Sequence, residues 1–97
     1  MAYKIVRTFS AGVFFGDLDP ESRSKNGKRG VMRDARRLWY WAGAASLSQL
    51  AMEGTKKPRE CKFPIPVSYI ELTEIIEVLD VTCEAIVSIK AVPEWKE

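Results

Sequence analysis

Alternating β-branched or aromatic and polar residues over 3–9 (YKIVRTF) predict a first strand. After a turn at 10–12, Val13, Phe14 and Phe15 continue as a second strand, a run that calls for burial on both faces or a subunit contact. Residues 19–30 (DPESRSKNGKRG) combine Asp-Pro, Asn-Gly and a final glycine, so an exposed, mobile loop is expected there. A third strand is predicted over 31–41, rich in aromatics but carrying Arg33, Arg36 and Arg37.

The period then changes. Ala44, Ala45, Leu47, Leu50 and Ala51 recur at helical spacing, with Ser46 as the cap and Gly54 as the stop. Residues 55–64 read as a loop, and Pro64 and Pro66 restrict the next run to an edge strand. The stretch SYIELTEIIEVLDV fits two templates. Leu72, Ile75, Ile76 and Leu79 fit a helix, whereas Ile70, Leu72, Ile76 and Val78 fit alternation, with one violation at Glu74. Its isoleucine and valine content favours a strand over 72–79. Thr82 then caps a last helix with Ala85, Ile86 and Ile89 on one face; Pro93 ends it, and Trp95 folds back as a plug. The whole predicts a single α+β domain over 1–97, a mostly antiparallel sheet of about four to five strands with two short helices packed on one face.

A chain of 97 residues supports one core, and 46% hydrophobic with 29% charged residues is a globular composition. The net charge of +2 is too small to mark a nucleic-acid partner, but it is unevenly spread. Arg23, Lys25, Lys28, Arg29, Arg33, Arg36 and Arg37 crowd 22–37, while Glu71, Glu74, Glu77 and Asp80 crowd 71–80. The two segments are complementary, within a chain or between subunits. No run approaches the roughly 18–20 apolar residues of a membrane span. The N-terminus reads as a strand rather than a signal peptide, so no membrane association and a cytoplasmic location are expected. Cys61 and Cys83 are expected as thiols.

The sequence contains no histidine, which removes the commonest general base, the commonest zinc ligand and every Ser-His or Cys-His arrangement. Nucleotide-loop and metalloprotease motifs are also absent from the sequence, so no catalytic residue, metal or cofactor is expected. On one strand, Glu71 and Glu77 share a face that Glu74 does not, so the three do not converge and read as surface charge. Arg36, Arg37, Trp39, Tyr40 and Trp41 are the candidate ligand-binding residues. On a strand, Trp39 and Trp41 share a face with Arg37, while Leu38 and Tyr40 point the other way. Packing is the simpler role for the indoles, each of which buries ~150–250 Å². The arginine pair sends one guanidinium to each face, so at least one must snorkel, pair with Glu74 or Glu77, or hold an anion. A compact anion such as a nucleotide suits this charge balance better than extended nucleic acid.

Residues 31–95 carry a distinctive run: Ala35, Arg36, Arg37, Trp39, Trp41, Gly43, Ala44, Leu47, Leu50, Ala51 and Gly54, then Ile70, Leu72, Ile76 and Glu77. In this the chain resembles a family of small uncharacterised proteins of tailed phages and prophages, with the first thirty residues similar only loosely. The resemblance implies an accessory protein that modulates the host, counters its defences, or assists replication and assembly. The expected function is therefore a non-enzymatic binding protein that sequesters a host protein or a small nucleotide messenger, through Arg36, Arg37, Trp39, Tyr40 and Trp41 in the nucleotide case. The competing expectations are a single-stranded nucleic-acid-binding module on the 23–37 segment and a structural subunit whose aromatics form a homo-oligomer interface.

Overall fold

The computed structural model describes residues 3–97 and contains β1 (Tyr3–Thr8), β2 (Val13–Leu18), β3 (Gly30–Arg37), α1 (Leu47–Glu53), β4 (Val67–Leu72), β5 (Ile75–Asp80) and α2 (Cys83–Lys90). The strand order is β4-β3-β2-β1-β5, and every neighbouring pair is antiparallel. This corrects the expectation of about four to five mostly antiparallel strands: the sheet has five. The run read as one strand over 72–79 is two, parted at Thr73 and Glu74, so the glutamate that broke the alternation marks the turn. The third strand stops at Arg37 rather than running to residue 41. Its neighbour explains this, since β2 begins at Val13, whose carbonyl accepts from the Leu38 N–H, and offers nothing beyond. β4 lies at an edge, as the prolines before it require.

Both helices begin and end on local chemistry. Ser46 Oγ accepts from the Gln49 N–H (3.1 Å) and Thr82 Oγ1 from the Ala85 N–H (3.1 Å). Gly54 closes α1 at φ 77°, its N–H donating to the Leu50 carbonyl. Leu50 and Ala51 of α1 and Ile89 of α2 then cover Ile5, Phe15, Leu38 and Phe63, which forms the first apolar cluster.

A second cluster, Val6, Phe14, Leu18, Met32, Ala35, Leu72 and Ile75, contains no helical residue. The sheet buries it by curling. Leu72 and Ile75 are three residues apart and therefore at most ~11 Å apart. They nevertheless belong to opposite edges, which in a flat five-stranded sheet would be ~19 Å apart. The edges therefore approach at this end. The Ile75 N–H donates to the Lys28 carbonyl at 2.9 Å, and the Ile75 side chain sits over Gly30, which is itself paired with Leu72. The 19–30 loop is thus pinned to β5 at one end, while Lys25, Asn26, Lys28 and Arg29 stay exposed.

The register between β2 and β3 contains one irregularity. Phe15 pairs with Arg36 and Asp17 with Arg33, so Asp34 and Ala35 together oppose Gly16. Asp34 is the one non-glycine residue with positive φ (51°) among the described residues. The bulge resets the alternation, so Met32 and Ala35 both enter the second cluster although three positions apart. Gly16 makes room for it. A Cβ there would lie 2.9 Å from both Ala35 Cα and the Asp34 carbonyl oxygen, atoms that belong to the backbone and cannot swing aside.

Replacing Gly16 with alanine is expected to destabilise the domain by about 1–3 kcal/mol, as overpacking does. Thermal or denaturant unfolding checks this; an unchanged midpoint would mean that the bulge does not depend on Gly16.

Candidate functional site

Arg36 and Arg37 occupy consecutive positions and diverge completely. Arg36 follows the bulge and faces the helices, 5% exposed. Its Nε donates to the Pro64 carbonyl (3.0 Å), Nη1 to Ile89 (3.0 Å), and Nη2 to Phe63 (3.0 Å) and Val92 (2.7 Å). The guanidinium also lies 5.5 Å from the Phe63 ring centroid. Ile89 is in the last turn of α2, where the backbone carries partial negative charge, so the cation replaces a carboxylate partner with carbonyl dipoles. Burial pulls the Arg36 guanidinium below its ordinary value, while Glu94, Asp34 and Cys61 oppose that shift. Arg36 is therefore spent on joining β3, the 63–64 stretch and the end of α2. Sequence reasoning placed it in a ligand site; the structure places it in the core.

Arg37 faces the other way. Its guanidinium stacks 4.7 Å from the Phe14 ring centroid, and Nη1 donates to the Ala11 carbonyl at 3.1 Å. Neither arginine meets Glu74 or Glu77. Glu77 instead pairs with Arg7 (2.9 Å), Asp80 with Lys4, and Glu74 accepts from Ser10. The side chains of Glu74, Glu77 and Asp80 are thus tied to β1 and its turn, not to the basic side chains of 22–37. Glu71 and Glu77, expected on one face of one strand, sit on β4 and β5 at opposite edges of the sheet.

Arg37, Trp39 and Trp41 line one open cleft of about 250 Å³, together with Leu38, the turn residues Ala11 and Gly12, and Val13 at the start of β2. Alternation set Leu38 on the face opposite Arg37, Trp39 and Trp41, but the strand ends at Arg37 and Leu38 lines the same cleft; the β1–β2 turn is the part that the sequence did not signal. Trp39 is 69% exposed, whereas Trp41 packs partly against the first cluster. Tyr40 is exposed but lies outside the cleft, in a bridge with Lys62. The five candidate residues therefore separate into a cleft of three, one core residue and one lone surface tyrosine.

A second cleft, about 230 Å³, is lined by Phe15, Asp34, Arg36, Pro66 and Lys90. The Tyr3 hydroxyl donates to Asp34 Oδ2 (2.7 Å) at the bulge, and the Lys90 ammonium lies 4.1 Å from the Tyr3 ring centroid. Burial, then the Asp34 hydrogen bond, pushes the Tyr3 phenol above 10.0, while Lys90 works against it. Among the described residues no group of three cysteines or carboxylates could hold a metal. Cys61 is buried and Cys83 exposed, both as free thiols. Trp95 folds back, its N–H donating to the Phe63 carbonyl, but the ring stays about half exposed beside Lys62 and Val92 is the buried plug. No helix among the described residues is long and apolar enough to cross a membrane.

Arg36→Met is expected to cost about 2–4 kcal/mol, because the Pro64 and Val92 carbonyls lose their donor while those of Phe63 and Ile89 keep only the N–H groups of Trp95 and Val92. Denaturant unfolding measures it, and a loss below 1 kcal/mol would show that water replaces the guanidinium at no penalty. Tyr3 gives a pH signature. A phenol whose folded pKa is raised stabilises fully below its unfolded value near 10.0 and loses that contribution as pH climbs through the folded value. Unfolding midpoints followed above pH 10 are therefore expected to fall less steeply in Tyr3→Phe than in the wild type.

Comparison with curated proteins and with solved structures gave no match. A family model does match, over residues 1–89, a span that includes Arg36 and every residue lining the cleft. The chain belongs to the family described as a domain of unknown function (DUF6948).

Proposed function

We propose that this chain is a non-catalytic binding domain, encoded by a tailed phage or prophage, that acts in the host cytoplasm by occupying a host protein through the cleft of Arg37, Trp39 and Trp41. One observation carries this reading: a guanidinium fixed on the Phe14 ring stands beside two indoles in a shallow cleft, and one indole is mostly exposed. Tryptophan and arginine are the side chains that dominate the energetics of protein interfaces. The non-catalytic part rests on the absence of histidine and on the engagement of Glu77 and Asp80 by β1 cations.

A nucleotide is the weaker occupant. The cleft is smaller than the roughly 300–1,000 Å³ of small-molecule pockets. With Arg36 committed to backbone carbonyls, its lining includes a single cation, which leaves most of a phosphate chain uncompensated.

Quantitative capture from host lysate with wild-type, Trp39→Ala and Val87→Ala baits, followed by titration of the purified captured protein, tests the proposal. Loss of a hot-spot side chain costs 2 kcal/mol or more, so Trp39→Ala should weaken the partner by at least ~30-fold. Val87 is exposed on α2, away from the cleft, and its replacement should change nothing. Equal binding by Trp39→Ala would overturn the reading. Micromolar calorimetric binding of a mono- or cyclic nucleotide, lost in Arg37→Ala, would replace it with the messenger alternative. A steeply salt-dependent oligonucleotide shift would replace it with nucleic-acid binding.

A further inference from the structure

The outer edge of β4 pairs with nothing in the described chain, because β3 is its only neighbour in the sheet. Exposed edges are usually blunted by charge or proline. Here residues 63–70 contain no charged side chain, and Pro64 and Pro66 lie just before the strand rather than within it. Ile65, Val67 and Tyr69 follow at alternate positions, 60%, 43% and 54% exposed, and so form an apolar stripe along one face. Arg33 on β3 leans across this stripe toward the open edge, its guanidinium 5.1 Å from the Tyr69 ring centroid. Arg33 and Glu71 are both exposed, and neither forms an ion pair among the described residues.

We infer that β4 is the contact strand of a symmetric homodimer, in which a second copy adds its own β4 antiparallel to this edge. Charge complementarity selects the second copy over a foreign strand. A two-fold interface must be complementary to itself, and here an anion, Glu71, stands two positions along the edge from Tyr69 while a cation, Arg33, sits on the neighbouring strand beside Tyr69, neither in an ion pair among the described residues. Proline lacks the N–H that an added strand needs. The usable stretch is therefore 67–71, and Tyr69 is its centre. Pairing about Tyr69 sets the two tyrosines opposite one another and Val67 opposite the partner's Glu71. Arg33 then lies two strand spacings across and two residues along from the partner's Glu71, about 12 Å between Cα atoms. The guanidinium already covers much of that span. The two Arg33–Glu71 pairs would flank the tyrosines, giving one ten-stranded sheet across the dimer.

Sedimentation equilibrium on the full chain tests this, with circular dichroism and melting curves to confirm that each variant is folded. The wild type is expected to reach twice the chain mass within the micromolar range. Glu71→Arg should shift it to monomer by placing like charges together, and the double variant Arg33→Glu/Glu71→Arg should restore the dimer. Trp39→Ala should leave the dimer intact, because the cleft of Arg37 and Trp39 is not part of this edge. Tyr69→Cys in a Cys83→Ser background should form an intermolecular disulfide under mild oxidation. A wild type that stays monomeric up to submillimolar concentration overturns the inference. So does a dimer that survives Glu71→Arg, or one lost in Glu71→Arg and not regained in the double variant.

Discussion

A guanidinium with four carbonyl partners and no carboxylate in contact organises this domain. Arg36 reaches from the middle of the sheet to the last turn of α2, to Val92 beyond it, and to Phe63 and Pro64 in the stretch before β4. These segments are distant in sequence, and two of the four carbonyls it holds, those of Pro64 and Val92, accept from no main-chain N–H among the described residues. Arginine suits the position because its planar fork offers five donors in fixed directions, whereas a lysine offers one compact point of charge. The partial negative charge at the end of a helix offsets part of the desolvation cost of the buried cation. The C-terminal segment is thereby joined to the strand that carries the cleft.

The bulge at Asp34 is what makes this contact possible. In an uninterrupted strand, Met32 and Arg36 would share a face, and the cation would enter the second apolar cluster. One extra residue reverses that outcome: Met32 stays with Leu18 and Leu72, and Arg36 meets Phe63 and the helix end. Gly16 provides the space, and Tyr3 holds the Asp34 carboxylate on the helical side. Arg37 then emerges on the opposite face, where the ring of Phe14 and the Ala11 carbonyl fix it beside Trp39. The exposed cleft and the buried clamp are two consequences of one register shift.

Curling of the sheet explains a second division of labour. Because β4 and β5 are joined by only two residues yet occupy opposite edges, the second cluster is enclosed by the sheet itself, and both helices serve the first. This leaves the outer side of β3 and β4 without a helical cover, so Val67 and Tyr69 remain exposed on a strand whose sequence otherwise reads as ordinary sheet. The surface available for recognition is in this way an outcome of topology as much as of composition.

Local signals were legible wherever they depended on near neighbours. Ser46, Gly54, Thr82 and Pro93 set the helix limits through capping and chain stiffness, and the alternation in 3–9 with the turn and apolar run after it set the first hairpin. What stayed hidden depended on pairing. Glu74 looked like a lapse in one strand because a turn between two edges of a curled sheet has no distinctive periodicity. Arg36 looked like a ligand residue because its partners are main-chain carbonyls, which every residue possesses and no sequence pattern distinguishes. The sequence by itself determined where the chain turns, where its helices are capped and which side chains alternate. Only the tertiary structure decided which arginine was buried and which left free, because that choice turns on a one-residue offset between two strands.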